Sequence, residues 1–342
     1  MASLLSVKNL QVKFATRKSF VTAVDDFSLN IDPGECVGLV GESGCGKTTS
    51  GLAVMRLLPG NGHIASGTIE LEGVDLSTLS EKEMQHHRGR SVALIPQDPM
   101  SSLNPTMKIG RQIGEGLRIH NGASDEEARK RSLEVLDMVE MPRPAERLDQ
   151  YPFELSGGLR QRVIIAMGLV CEPKLLIADE PTTALDVTIQ AQIIELMNEM
   201  QQRLGSAIVL ITHDLGVVAE TCKNVLVMYG GNMVEYGTAD DIFNRPKMPY
   251  TMGLLESLPR LDVDGERLIP IEGQPPNLLR MPPGCAFAPR CRYKMPMCDQ
   301  PVPLYDFGSG HVARCFLYDE RAADQRTLDV ESAPRTSLEA LL

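Results

Sequence analysis

The chain opens on an alternation of apolar and polar positions. Val7, Leu10, Val12 and Phe14 fall at the spacing of a half-buried strand, so residues 4–14 are expected to form an edge strand. A polar turn at residues 15–19 leads to two further expected strands, near residues 20–24 and 27–31, and Asp32, Pro33 and Gly34 form a turn signal. Residues 36–40 are short, apolar and partly β-branched, the pattern of a buried strand. A glycine-rich stretch follows, then a helical pattern over residues 49–58. Residues 66–71 and 91–95 have strand patterns, and the second ends at Pro96 and Gln97.

From residue 99 to about residue 170 the period becomes helical. Ser124 with Glu127 three positions on is a capping-box start. The helix expected over residues 128–139 turns Leu133, Val135, Leu136 and Val139 inward, and Pro142 and Pro144 break it. Ser156, Gly157 and Gly158 open another helix over residues 159–170, apolar on nearly every face and so expected to be buried all round. Residues 174–178 return to a β pattern that ends in Asp179 and Glu180. A long amphipathic helix over residues 188–204, a buried strand over 207–212 ending at His213 and Asp214, and a last strand pair at 225–228 and 233–236 complete the pattern.

Strands alternating with helices predict an α/β domain with a largely parallel sheet. Its noteworthy polar residues lie just past strand ends, where such sheets bind ligands. Beyond residue 237 the composition changes: residues 246–283 are proline-rich, cysteines then cluster, and the tail from about residue 321 is polar. The expected division is therefore residues 1–236 with a helical subdomain at 99–170, a smaller domain at 237–320, and a tail at 321–342.

The 342 residues suggest about two domains. A net charge of -11 argues against a general nucleic-acid binder. No apolar run reaches the ~18 residues a membrane helix needs, and the first ten residues lack a signal-peptide pattern. A cytoplasmic chain is expected, with its eight cysteines reduced or metal-bound and with any membrane role conferred by a partner.

The chemistry centres on Gly41, Glu42, Ser43, Gly44, Cys45, Gly46, Lys47, Thr48 and Thr49, which match the phosphate-loop pattern G-x-x-x-x-G-K-S/T at every position. Strand before and helix after supply the context that makes such a match a site. Glycines let the backbone turn its N–H groups onto a phosphate, and the helix N-terminus adds partial positive charge. Lys47 is expected to reach the β- and γ-phosphates of a nucleotide, and the Thr48 hydroxyl to ligate Mg²⁺. Cys45, beside Lys47 and a helix terminus, is expected to favour thiolate; the alternative is a small residue contributing only its N–H. Asp179 and Glu180 end an apolar strand, where one acid can hold Mg²⁺ through water and the other can activate an attacking water.

In order along the chain stand the phosphate loop, Gln97, Leu155-Ser156-Gly157-Gly158, Asp179-Glu180, Ala184-Leu185-Asp186 and His213. This series resembles the nucleotide-binding subunit of an ATP-binding-cassette (ABC) transporter. The resemblance covers about residues 4–236 and implies a phosphate-loop fold with a RecA-like parallel core, an antiparallel β subdomain and a helical signature subdomain. It implies that Asp179 contacts the Mg²⁺ shell, Glu180 polarises the hydrolytic water and His213 contacts the γ-phosphate. Gln97 would ligate Mg²⁺ and sense a membrane partner. Ser156, Gly157 and Gly158 would touch the ATP of another subunit, and Asp186 would line the dimer seam. The family usually has Gln after the two glycines; here Leu159 stands there and Gln161 follows. For the aromatic residue that stacks on adenine, Phe20 is the choice and Phe14 the runner-up.

Asp98 to Pro105 (DPMSSLNP), Glu180 to Thr188 (EPTTALDVT) and Pro249-Tyr250-Thr251 resemble the dipeptide/oligopeptide importers, and the Thr-Thr-Ala form their first ATPase subunit. Nickel importers share most of these marks, and Met248 stands where the subfamily usually has His. The resemblance implies import of di- or oligopeptides, or else of nickel or another solute. Its implied partners are a second, non-identical ATPase subunit, two transmembrane permease subunits and, indirectly, a solute-binding protein. It places the chain on the cytoplasmic face of the membrane. A soluble ABC ATPase of translation, repair or cluster assembly is the rival, disfavoured by the single cassette and the acidic charge.

Cys285, Cys291, Cys298 and Cys315 have the spacing C-x5-C-x6-C-x16-C. A small irregular lobe needs a staple. Four thiolates suit structural zinc, although the usual tight C-x2–4-C knuckle is missing, and they suit an iron–sulfur cluster, which accepts wider spacings. Arg290, Arg292, Lys294 and Arg314 beside them could offset the cluster's charge. The peptide-importer resemblance also implies a 4Fe–4S cluster, with zinc the alternative.

Overall fold

The computed structural model describes residues 3–183, 185–258 and 270–325. Ala184, part of the expected tail and part of the proline-rich stretch lie outside these ranges.

The described strands join into one twelve-stranded sheet. Five of them, β3 (Cys36–Val40), β6 (Val92–Ile95), β7 (Leu175–Asp179), β8 (Ala207–Ile211) and β9 (Asn224–Tyr229), run parallel in the order β9-β3-β8-β7-β6. In β3, β7 and β8 every residue is buried, as expected of strands covered on both faces. An antiparallel part is built from β1 (Leu5–Ala15), β2 (Phe20–Ile31), β4 (Gly62–Leu71) and β5 (Val74–Asp75). It joins the parallel part through β10 (Asn232–Thr238), which runs antiparallel to β9.

Two expectations are corrected here. The first strand is not at an edge, because β1 lies between β2 and β4. The two strands expected at 20–24 and 27–31 are one strand, β2. Asp26 adopts φ 48° within it, and the β1–β2 register shifts nearby, so the polar interruption is absorbed as an irregularity instead of a break.

The helical region expected from residue 99 is present as a series of helices. Ser124 and Glu127 form the capping box of the helix Asp125–Met138. The helix Gly157–Leu169, which starts directly after Ser156, buries Val163, Ile164, Ile165, Ala166 and Leu169. Its apolar circumference packs into the larger of the two hydrophobic clusters.

The C-terminal segment docks on the same body. Strands β11 (Tyr305–Asp306) and β12 (Val312–Ala313) pair together, and β12 adds to β10. The fully buried Glu235 carboxylate anchors this junction. It accepts from the backbone N–H of Lys247 (2.6 Å) and Met248 (3.0 Å) and lies 2.9 Å from His311 Nε2. A buried carboxylate is tolerated because these groups replace water.

Candidate nucleotide site

The loop between β3 and the helix Lys47–Val54 has the shape its glycines permit. Gly41 has φ +147°, and a Cβ there would lie 2.2 Å from the Met228 carbonyl oxygen; Gly46 has φ +108°, and its Cβ would lie 2.7 Å from that of Ala23. No side chain fits at either position without moving backbone. Ser43, Gly44 and Thr49 complete the loop and the first turn of its helix. The Lys47 ammonium is turned into the loop, donating to the carbonyl oxygens of Gly41 at 2.7 Å and Glu42 at 3.2 Å.

The Thr48 hydroxyl donates to Asp179 Oδ1 at 3.0 Å, which joins the loop helix to the end of β7. Burial pushes the Asp179 carboxyl above its ordinary range, against the opposing Thr48 hydrogen bond. Glu180, at φ 47°, starts the turn after β7, and its N–H donates to Ile211 O at 2.8 Å. Its Oε2 accepts from Gln97 Nε2 at 2.9 Å and from Thr183 Oγ1 at 2.8 Å. His213 Nδ1 lies 3.6 Å from Glu180 Oε1, and the His213 side chain is 65% exposed. The ends of β6, β7 and β8 thus bring Gln97, Asp179, Glu180 and His213 together with Thr48.

Elsewhere the expected residues are apart. Ser156, Gly157, Gly158 and Leu159 line an open depression with Leu185 and Asp186, and no residue of 41–49 contributes to it. No atom outside its own segment lies within 4 Å of a Cβ built on Gly157, so that turn is open to a visitor. Asp186 caps the helix Val187–Leu204 by accepting from Ile189 N at 3.0 Å. Phe20 is 61% exposed and meets His63 edge to face at 5.6 Å between ring centroids, whereas Phe14 is half-buried against Gly62. His63 carries no motif in the sequence.

The expectation of a thiolate at Cys45 is corrected. Its thiol is buried, and burial pushes it up; the Lys47 ammonium, at 3.9 Å, and nearby backbone N–H groups offset this only in part.

Cys285, Cys291, Cys298 and Cys315 line one small cavity, walled otherwise by Phe287, Met295, Phe316 and other apolar residues. Burial raises the thiols of Cys285 and Cys315 and pushes that of Cys291 up to about 12. Among the described residues no three His, Cys, Asp or Glu side chains are grouped closely enough to hold a metal ion, so the expected cluster site is not shown. The basic residues beside the cysteines have carboxylate partners instead: Arg290 pairs with Glu42, Arg292 with Glu256, Lys294 with Asp299 and Arg314 with Asp26.

A phosphate loop on a parallel sheet, with a hydroxyl, two acids, a glutamine and a histidine converging beside it, defines a nucleotide-hydrolysing cassette. The family model for ABC transporters matches residues 24–183. That for the oligopeptide/dipeptide transporter C-terminal region matches residues 234–298. Dipeptide transport ATP-binding protein DppD of Bacillus subtilis (strain 168) is 51% identical over 324 residues, 94% of this chain and 97% of that protein. Oligopeptide transport ATP-binding protein OppD of Escherichia coli (strain K12) is 50% identical over 314 residues, 92% and 93% of the two chains. Among solved structures, the ATP-binding cassette MJ0796, in a post-hydrolysis dimer bound to ADP and Pi, aligns with TM-score 0.63 and 27% identity over 69% of this chain and 98% of that one. The chain belongs to the ABC transporter ATPases, in the branch that carries the oligopeptide/dipeptide C-terminal region. Among its described residues no helix is long and apolar enough to cross a membrane.

Proposed function

We propose that the chain is the ATP-hydrolysing subunit of an importer of di- or oligopeptides, seated on the cytoplasmic face of the membrane against two permease subunits. The observation that carries the chemistry is the Glu180 carboxylate, held by Gln97 and Thr183 beside His213 and one residue after the buried Asp179. In this reading Glu180 orients and polarises the attacking water, and His213 stabilises charge developing on the γ-phosphate. Lys47 exchanges its two carbonyl partners for phosphate oxygens. Phe20 offers its exposed ring to adenine. Thr48, Asp179 and Gln97 supply hard oxygen donors that suit Mg²⁺, which when bound neutralises phosphate charge.

The separation of Ser156, Gly157, Gly158 and Asp186 from the phosphate loop supports a shared site, completed head to tail by a second, non-identical ATPase subunit. The substrate class is supported by the C-terminal region and by the relatives' transport of dipeptides and oligopeptides. The solute itself is delivered by a binding protein to the permeases and does not touch this chain.

The four cysteines around one apolar-walled cavity have the donor chemistry of a 4Fe–4S or zinc site. In this reading Cys285, Cys291, Cys298 and Cys315 hold it and it staples the small C-terminal lobe.

Uptake of labelled di- and oligopeptides by cells whose chromosomal copy carries Glu180→Gln tests the proposal. Peptide uptake falls to background, and the wild-type chain recovers permease subunits and a second ATPase from detergent extract. Unchanged peptide uptake with lost nickel uptake would assign the nickel alternative, and recovery with ribosomes or DNA would assign the soluble one.

A further inference from the structure

Glu42 places a carboxylate second in the phosphate loop, directly after Gly41. A free negative charge there would repel the phosphates that the loop exists to bind. The structure disposes of it through a residue 248 positions away. Arg290 grips the carboxylate with both arms of its guanidinium, Nη1 to Oε2 at 2.6 Å and Nη2 to Oε1 at 3.0 Å. This two-pronged pairing is the strong, directional form that Arg alone provides.

Arg290 is itself fixed. Its side chain is 5% exposed. Its Nε donates to Glu272 O at 2.9 Å, Nη2 to Ile271 O at 3.2 Å and Nη1 to Tyr229 Oη at 3.2 Å. The guanidinium also lies within 6.0 Å of the ring centroids of Tyr229 and Phe287. A second tie reaches the same loop residue, since the Glu42 N–H donates to Tyr250 Oη at 2.8 Å. Tyr250 is buried and packs with Tyr229 and Phe287. Side chain and backbone of Glu42 are therefore both held by the C-terminal region.

We propose that Arg290 is a positioning residue for ATP binding: it draws the Glu42 charge away from the phosphates and fixes the entry of the phosphate loop to the C-terminal lobe. This makes the lobe part of the nucleotide site, although none of its residues belongs to an ATP motif. The inference rests on the proposed phosphate-binding role of residues 41–49.

The test is equilibrium binding of Mg-ATP to the full chain by titration calorimetry, with melting temperature as a control. Arg290→Gln keeps an amide near the two backbone carbonyls and removes the charge. It is expected to raise the ATP Kd about 10-fold, a change of ~1.4 kcal/mol. The double variant Glu42→Gln/Arg290→Gln, with no charge left to repel phosphate, is expected to return to within about 3-fold of wild type. A purely structural Arg290 predicts no such recovery. Arg290→Lys, which keeps the charge and loses the fork, should weaken binding by about 3-fold and serves if the Gln variant does not fold. Wild-type affinity in Arg290→Gln or Arg290→Lys, or a double variant as weak as Arg290→Gln alone, would overturn the proposal. Failure of the wild-type chain itself to bind ATP would instead overturn the proposed nucleotide role.

Discussion

Gln97 donates its amide N–H to the Glu180 carboxylate across 2.9 Å, so the second residue after β6 and the first residue after β7 are tied directly. If a membrane partner seats on the Gln97 loop as proposed, its displacement would change the hydrogen bonding of the group proposed to activate water. The link needs no relay through the core, because both residues sit at the same edge of the parallel sheet.

Glu180→Gln keeps the shape of this network and removes the proposed base. An amide neither accepts the proton of water nor polarises it as a carboxylate does, while the phosphate loop is untouched. ATP affinity is expected to stay within about 3-fold, and turnover to fall by about 10²-fold or more. Single-turnover hydrolysis beside equilibrium nucleotide binding separates the two. Turnover near the wild-type rate would remove Glu180 from its role, provided the partner subunit's own site is inactivated in the same preparation.

With its proposed Mg²⁺ role, Asp179 is expected to link activity to stability with opposite signs. Burial raises its folded-state carboxyl above the unfolded value. The protonated form is therefore favoured in the fold, and the fold loses stability as pH rises from the unfolded pKa through the folded one. Asp179→Asn has no proton to lose. Without nucleotide it should melt at the same temperature as wild type below about pH 4 and higher than wild type at neutral pH, while Mg-dependent hydrolysis falls by about 10²-fold. Scanning calorimetry across pH checks the first part; a variant less stable than wild type at pH 7 would contradict it.

The open signature turn predicts dependence on a second subunit. Activity per chain should rise with protein concentration and approach zero on dilution. Ser156→Arg, which fills the depression that Gly157 leaves open, should leave this chain's own ATP binding intact and disable hydrolysis at the site on its partner. Vigorous turnover independent of concentration would show that one chain suffices.

What the sequence made legible were features written in consecutive residues. Residues 36–40 formed the expected strand to the residue, because a short run buried on both faces has no alternative register to adopt. The Ser124–Glu127 cap was likewise local. The β1 edge assignment failed because a half-polar strand looks the same whether its neighbours are water or two other strands. Nothing local marks the Arg290–Glu42 or Glu235–His311 pairs, whose members lie 248 and 76 residues apart and whose types are ordinary surface residues. Cys45 shows the converse error: neighbouring charge was visible in the sequence, but the burial that outweighs it was not.

The buried, upward-shifted Cys45 thiol should resist alkylation by N-ethylmaleimide at pH 7 in the nucleotide-free chain, and its labelling rate should keep rising above the ordinary thiol range near pH 8.5. Mass-spectrometric mapping of each cysteine measures this. Rapid labelling at neutral pH, with ATP protection, would restore the thiolate assignment.

Cys285, Cys291, Cys298 and Cys315 line one cavity. Without a metal, four thiols sit among Phe287, Met295 and Phe316, and burial raises those of Cys285, Cys291 and Cys315 and so favours their protonated form. A bound metal centre would remove those protons and draw the sulfurs inward, because thiolate is the ligating form. The neighbouring cations are already paired with carboxylates, so the charge of an all-thiolate centre would be met mainly by backbone N–H groups. The N–H groups of Phe287, Ala288, Tyr293 and Leu317 already lie against these sulfurs. Anaerobically purified chain should be brown, absorb near roughly 400 nm as thiolate-bound iron clusters do, and contain iron and sulfide. Cys298→Ser should release the iron and lower the melting temperature, with ATP affinity changed less than in Arg290→Gln. Colourless protein with one zinc per chain would assign zinc to the same four sulfurs, and metal-free protein with the wild-type melting temperature after chelation would leave the cavity an apolar core lined by thiols.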